Sequence, residues 1–212
     1  MDQAIETVLA EYEARSKAEW SGRLEGSAQM GRDVRDRMLL SVGREAGELL
    51  NLLARSNKAA RILELGTSYG YSTIWLAAAA RDTGGVVISL DVADYKQAHA
   101  AAQLERAGLR DRVQFHVGDA LEIIPTLEDG IDFVLLDIWK DLYEPCLEAF
   151  LPKLAPGALI VADNMLQPAA DRTNALGYRR LARSKATLSS ILLPVGQGLE
   201  VSRVLGPDDK GL

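Results

Sequence analysis

Residues Arg61–Ala77 read RILELGTSYGYSTIWLA. A short apolar run, Ile62–Leu65, meets a turn bounded by two glycines, Gly66–Gly70, and the turn opens directly into a helical pattern. Open α/β sheets build nucleotide sites in this strand–turn–helix order. Glycines let the backbone bend tightly, and the helix N-terminus presents N–H groups to an anion. The spacing is Glu64-x-Gly66-x-x-x-Gly70 rather than G-x-G-x-x-G, and no G-x-x-x-x-G-K-[ST] loop occurs in the chain. The turn therefore does not fit a dinucleotide pyrophosphate or a nucleoside triphosphate. Alone, it also fits an ordinary glycine-rich βα turn.

Outward from this stretch, strands and helices alternate. Strand-like runs fall at Val86–Leu90, Val113–Val117, Phe133–Leu136 and Leu159–Ala162. Helical patterns fall at Ser72–Ala80, Tyr95–Ala107, Ala120–Leu127 and Leu142–Leu154. The strands are continuously apolar, which predicts a parallel sheet covered on both faces, with right-handed crossovers. The N-terminal part reads as helices over Ala4–Trp20, Arg32–Leu40 and Glu45–Arg55. After Asn164 a polar segment and a short helix, Asn174–Arg183, lead to Leu188–Leu193, a turn at Pro194–Gly198, and Leu199–Val204, read as an antiparallel hairpin. The reading is one domain over 1–212, with helices to residue 57 and an α/β core over 58–205.

Bulk properties narrow the function. The chain has 212 residues, is 48% hydrophobic, and carries a net charge of −6. Nothing pulls it globally toward nucleic acid, although Arg172, Arg179, Arg180 and Arg183 make either a local basic patch or a solvated helix face. A single cysteine, Cys146, forms no internal disulfide and fits a cytoplasmic setting. No apolar stretch is long enough to span a bilayer, and the charged N-terminus is unlike a signal peptide.

Polar residues recur where strands end. Asp91 closes the second strand, where a carboxylate can accept hydrogen bonds from ribose hydroxyls or cap a helix. Asp119 and Ala120 follow the third strand, where Asp119 can cap the next helix. Ser72 lies in the first helical turn after the glycines, where it can meet a carboxylate. The fourth strand ends in Asp137-Ile138-Trp139-Lys140 and the fifth in Asp163-Asn164. Strand ends of an open sheet converge on one crevice. Two carboxylates and an amide oxygen without Cys or His favour a hard cation such as Mg²⁺, unless Asp163-Asn164 is only a turn.

The Glu64–Gly70 turn resembles motif I of the Rossmann-like methyltransferases, which bind S-adenosylmethionine. Asp-x-Trp-Lys with Ala-Asp-Asn is similar to the divalent-metal-dependent O-methyltransferases, nearest the catechol O-methyltransferase branch and related to the caffeoyl-coenzyme A branch. The resemblance runs from about Met38 through Val204. It implies a seven-stranded, mostly parallel sheet with one antiparallel strand and extra N-terminal helices. It implies Asp137, Asp163 and Asn164 as ligands of Mg²⁺, or of Mn²⁺ or Ca²⁺, and Lys140 as the base. It places S-adenosylmethionine against Val42, Glu64, Gly66, Ser68, Gly70, Ser72, Asp91, Val92, Asp119, Ala120 and Asp137. Met38, Leu40 and Trp139 are candidate walls of a phenolic pocket, Trp139 being equally readable as a core-edge aromatic. Trp139 stands where the bacterial and caffeoyl-coenzyme A branches usually have Asp. The catechol enzyme carries a Glu whose place falls near Ile191 here; bacterial relatives also lack it, and this departure bears on the exact substrate rather than the reaction class.

The expected function is Mg²⁺-dependent methylation of a vicinal hydroxyl on a catechol-like small molecule, without nucleic acid or membrane partners; a homodimer is left open. The alternatives are a tRNA hydroxyuridine-type methyltransferase of the same family and a non-catalytic S-adenosylmethionine-binding protein. A nicotinamide-dependent dehydrogenase is disfavoured by the glycine spacing and the lack of a Tyr-x-x-x-Lys pair.

Overall fold

The computed structural model describes residues 2–21, 31, 34, 36–166 and 172–206. Helix α1 spans Gln3–Trp20 and is capped by Asp2, whose side chain accepts from the Ile5 N–H. Helix α2 spans Arg44–Ser56. The helix expected over Arg32–Leu40 lies partly outside the described residues. The remaining elements are β1 (Arg61–Leu65), α3 (Tyr71–Thr83), β2 (Val86–Asp91), α4 (Asp94–Arg106), β3 (Val113–Val117), α5 (Ala120–Ile123), β4 (Ile131–Leu136), α6 (Tyr143–Phe150), β5 (Leu154–Ala162), α7 (Arg172–Ser184), β6 (Leu188–Leu193) and β7 (Leu199–Val204).

The seven strands form one sheet in the order β3-β2-β1-β4-β5-β7-β6. Neighbours from β3 through β5 pair in parallel, and β7 runs antiparallel to both β5 and β6. The sheet is thus mostly parallel with one reversed strand, as expected. The apolar runs Phe133–Leu136 and Leu159–Ala162 follow from its two cores. Ile62, Phe133, Leu135 and Val161 join α1, α2 and α3 in one. Leu63, Leu65, Val134, Leu136 and Ile160 join α6 and α7 in the other. Each fully buried aliphatic side chain contributes about 1.5–3 kcal/mol.

Three boundaries differ from the apolar pattern, and proline accounts for each. The helix expected over Ala120–Leu127 is a single α turn followed by a 3₁₀ turn containing Pro125. Likewise α6 stops at Phe150, before a 3₁₀ turn containing Pro152. Strand β5 begins at Leu154 rather than Leu159. Its first half carries Pro156 and Gly157, and the pairing with β4 shifts register between Ile131 and Phe133.

Candidate active site

The site forms where β1, β4 and β5 end side by side. Leu65 pairs with Leu136, and Leu136 with Ala162, so the next residues of the three strands, Gly66, Asp137 and Asp163, emerge at one level. The backbone continues the ladder past the strands: Asp137 N–H donates to Leu65 O (2.9 Å) and Asp163 N–H to Leu136 O (3.1 Å). Gly66 adopts φ +101°, and a Cβ there would lie 2.0 Å from the Asp137 carbonyl oxygen. Only glycine permits this approach.

Four of the predicted side chains meet here. Lys140 Nζ donates to Asn164 Oδ1 (2.7 Å), the Tyr143 hydroxyl (2.5 Å) and Ile138 O (3.2 Å), and lies 3.9 Å from Asp137 Oδ1. Tyr143 in turn donates to Leu136 O (2.9 Å). Asp163 Oδ1 accepts from the Asn164 N–H (2.6 Å). Its Oδ2 is buried with no hydrogen-bond partner. Burial and the neighbouring Asp137 carboxylate push Asp163 up to about 8. Burial also raises Asp137, opposed by the Lys140 charge.

This set fits a divalent cation. A buried carboxylate oxygen without a partner is costly, and two desolvated carboxylates side by side want positive charge. Among the described residues no three His, Cys, Asp or Glu side chains cluster as a metal site. The donors here are instead two carboxylates and an amide oxygen, which suit a hard cation.

The turn after β1 is tied down from several sides. Gly66 and Thr67 N–H groups both donate to Leu90 O. Ser68 sits at φ +46°, and its N–H donates to Asp91 Oδ2 (2.7 Å), while Asp91 Oδ1 accepts from the Ala93 N–H (2.8 Å). Gly70, at φ +96°, lies so close to α4 that a Cβ would stand 2.6 Å from Ala100 Cβ. Glu64 points into the interior. Its carboxylate accepts from Ser72 Oγ and Thr73 Oγ1 (both 2.7 Å) and Ser89 Oγ (2.5 Å), and burial pushes it up to about 7. The Ser72 hydroxyl is thus engaged with Glu64 rather than turned to the crevice.

The other predicted residues are spread around these two centres. Val42 and Met38 are buried, Leu40 and Trp139 half-buried, and Val92 is 74% exposed. Asp119 caps α5 by accepting from the Leu121 N–H (2.8 Å), and Ala120 packs against the second core.

Several contributors were not legible in the sequence. Tyr69, inside the turn, is held by α1 and α4: the Tyr12 hydroxyl donates to its carbonyl, the Arg15 guanidinium lies 4.1 Å from its ring centroid, and His99 and Tyr95 meet its ring edge-on. The Tyr69 hydroxyl donates to Arg37 O (3.2 Å). For Tyr143 the one available signal was its place three residues past Lys140.

Residues 63–165 match the family described as Methyltransferase domain. The chain is 39% identical over 135 residues to a catechol O-methyltransferase of Niastella koreensis, covering 60% of this chain and 59% of that protein. The match therefore spans less than two thirds of that relative's length. It is 32% identical over 178 residues to the catechol O-methyltransferase of Sus scrofa, covering 79% of this chain and 95% of that one. The O-methyltransferase TomG of Streptomyces achromogenes, solved in complex with SAM, superposes with a TM-score of 0.74 at 29% identity, covering 97% of this chain and 91% of that one. With this sheet order, these strand-end residues and a relative 32% identical over 95% of its length, the chain belongs to the catechol O-methyltransferase-like family of O-methyltransferases.

Proposed function

We propose that the protein is an S-adenosylmethionine-dependent, divalent-cation-dependent O-methyltransferase that methylates one hydroxyl of a vicinal pair on a catechol-like small molecule. The observation that carries the reading is the buried, unpartnered Oδ2 of Asp163 beside Asp137, Asn164 and Lys140. Asp137, Asp163 and Asn164 would hold the cation, Mg²⁺ or another hard ion. When bound, the cation supplies Lewis acidity that lowers the pKa of an adjacent hydroxyl. The Gly66–Gly70 turn and Asp91 would hold the methyl donor, which their position at the crevice end of β1 and β2 favours.

The chain's own part is placement and proton transfer. Lys140 Nζ rests among three acceptors, Ile138 O, the Tyr143 hydroxyl and Asn164 Oδ1. A cation held beside it would add positive charge and favour the neutral amine of Lys140. Lys140 Nζ would then take the proton of the attacking hydroxyl, and S-adenosylmethionine would supply the methyl, the O–C bond forming as the C–S bond breaks to leave S-adenosylhomocysteine. Fixing donor and acceptor relative to one another can supply about 7–11 kcal/mol in well-oriented systems. Met38, Leu40 and Trp139 give apolar surface for a phenolic acceptor. A nucleic-acid substrate is less well supported, because Arg179 and Arg183 are both paired with the buried Glu200.

The test incubates the full chain with methyl-labelled S-adenosylmethionine, Mg²⁺ and a panel of catechols, flavonoids, hydroxycinnamates and tRNA. The expected result is transfer to a vicinal-diol phenol that stops in excess chelator and resumes on adding Mg²⁺. Undiminished transfer in chelator would refute the cation, and transfer to tRNA alone would refute the substrate class.

A further inference from the structure

Asn164 is held at both ends of its side chain. Its Oδ1 accepts from Lys140 Nζ (2.7 Å), and its Nδ2 donates to Gln197 Oε1 (3.1 Å), a side chain from the turn between β6 and β7. Its backbone is in the left-handed region, φ +56°. The two residues that follow are bound to the same turn: Met165 N–H donates to Gly198 O and Leu166 N–H to Gln197 O, both 2.9 Å. Gly198, at φ +92°, is packed so tightly that a Cβ there would lie 2.6 Å from Leu166 Cγ and 2.9 Å from Leu166 N. The turn is thus a platform against which residues 164–166 are seated.

We propose that Gln197 is a positioning residue that fixes the Asn164 amide so that its oxygen, not its nitrogen, faces the cation site. This rests on the cation reading given above. An amide can ligate a cation only through oxygen, and its NH₂ end would repel both a cation and the Lys140 ammonium. Two bonds now enforce the orientation. A cation bound at Asn164 Oδ1 would compete with the one from Lys140. Gln197 then remains as the polar partner of the Nδ2 end. Partners that orient a ligand from behind typically change metal affinity by about 10–100-fold. Gln197 is exposed to water, which puts the expectation at the lower end.

Gln197→Met removes the acceptor without changing charge or chain length greatly. Gln197→Glu keeps an acceptor in place. The measurement is Mn²⁺ affinity by electron paramagnetic resonance titration of the full chain, beside S-adenosylhomocysteine affinity without metal and the melting temperature. The expected result is Mn²⁺ binding about tenfold weaker in Gln197→Met, retained in Gln197→Glu, with the other two readouts unchanged in both. Gln197→Met binding Mn²⁺ within twofold of wild type overturns the assignment while leaving the cation site standing. Equal losses in melting temperature and S-adenosylhomocysteine affinity overturn it in favour of a purely structural role. A wild-type chain that binds no Mn²⁺ removes the cation reading, and this inference with it.

Discussion

Replacing Glu64 with Gln should abolish a pH dependence of stability that the fold builds in. Glu64 is fully buried behind the glycine turn, accepting from Ser72, Thr73 and Ser89. Those hydroxyls favour the carboxylate, but burial outweighs them and moves the group from its ordinary 4.5 to about 7, with a smaller contribution from the Asp137 charge. Between these values the unfolded chain has released the proton and the folded chain still holds it. Stability from this group is therefore complete below pH 4.5 and is lost as pH rises through 7. At 1.36 kcal/mol per pH unit, the interval amounts to about 3 kcal/mol. Glu64→Gln presents a neutral, non-titrating side chain of the same shape. In urea unfolding at pH 5 and pH 8, with chelator present, the stability of wild type relative to the variant should fall by about 2.5 kcal/mol, since the part of the interval below pH 5 is already spent. Asp163 and Asp137 titrate in both proteins and cancel to first order in the difference. A wild-type-minus-variant difference that stays constant within ~0.5 kcal/mol between the two pH values would refute the account, since that margin is the usual size of additivity errors.

Asp91→Ala removes the acceptor of the Ser68 and Ala93 N–H groups together with any bond to a ribose. S-adenosylmethionine affinity should drop by about 1.5–3 kcal/mol by calorimetry, and wild-type affinity would exclude Asp91 from the cofactor site. Lys140→Met should leave cofactor and cation binding in place and lower turnover by about 10²–10⁴-fold, with part of the loss recovered at high pH where the acceptor ionises unaided. Normal turnover of that variant at neutral pH would leave Lys140 a structural residue.

Much of the architecture was legible because the signals were local and repeated. The runs Phe133–Leu136 and Leu159–Ala162 are unbroken and apolar because successive residues, such as Phe133 and Val134, serve opposite cores. The convergence of Asp137, Asp163 and Asn164 followed from a topological rule: strand ends of such a sheet share an edge. Side-chain direction was not legible. Glu64 and Ser72 both flank the glycine turn, yet they face each other across the buried side, which depends on how α3 rolls against β1. Gln197 was equally hidden. Its partner is thirty-three positions away, and only the β5–β7 pairing, Ala162 with Glu200, brings the two loops together.

The hold on Tyr69 has a thermodynamic corollary. Its carbonyl is bonded from α1 and its ring is packed by Arg15 of the same helix, so the order of the glycine turn and the docking of α1 share one free energy. Linkage then works in both directions. A ligand that favours the ordered turn must also favour the docked helix, and by the same factor a loosened helix must weaken that ligand. With the methyl donor seated at the turn as proposed, amide exchange along α1 would report occupancy there, and residues 3–20 would enter the donor's binding constant through Tyr69.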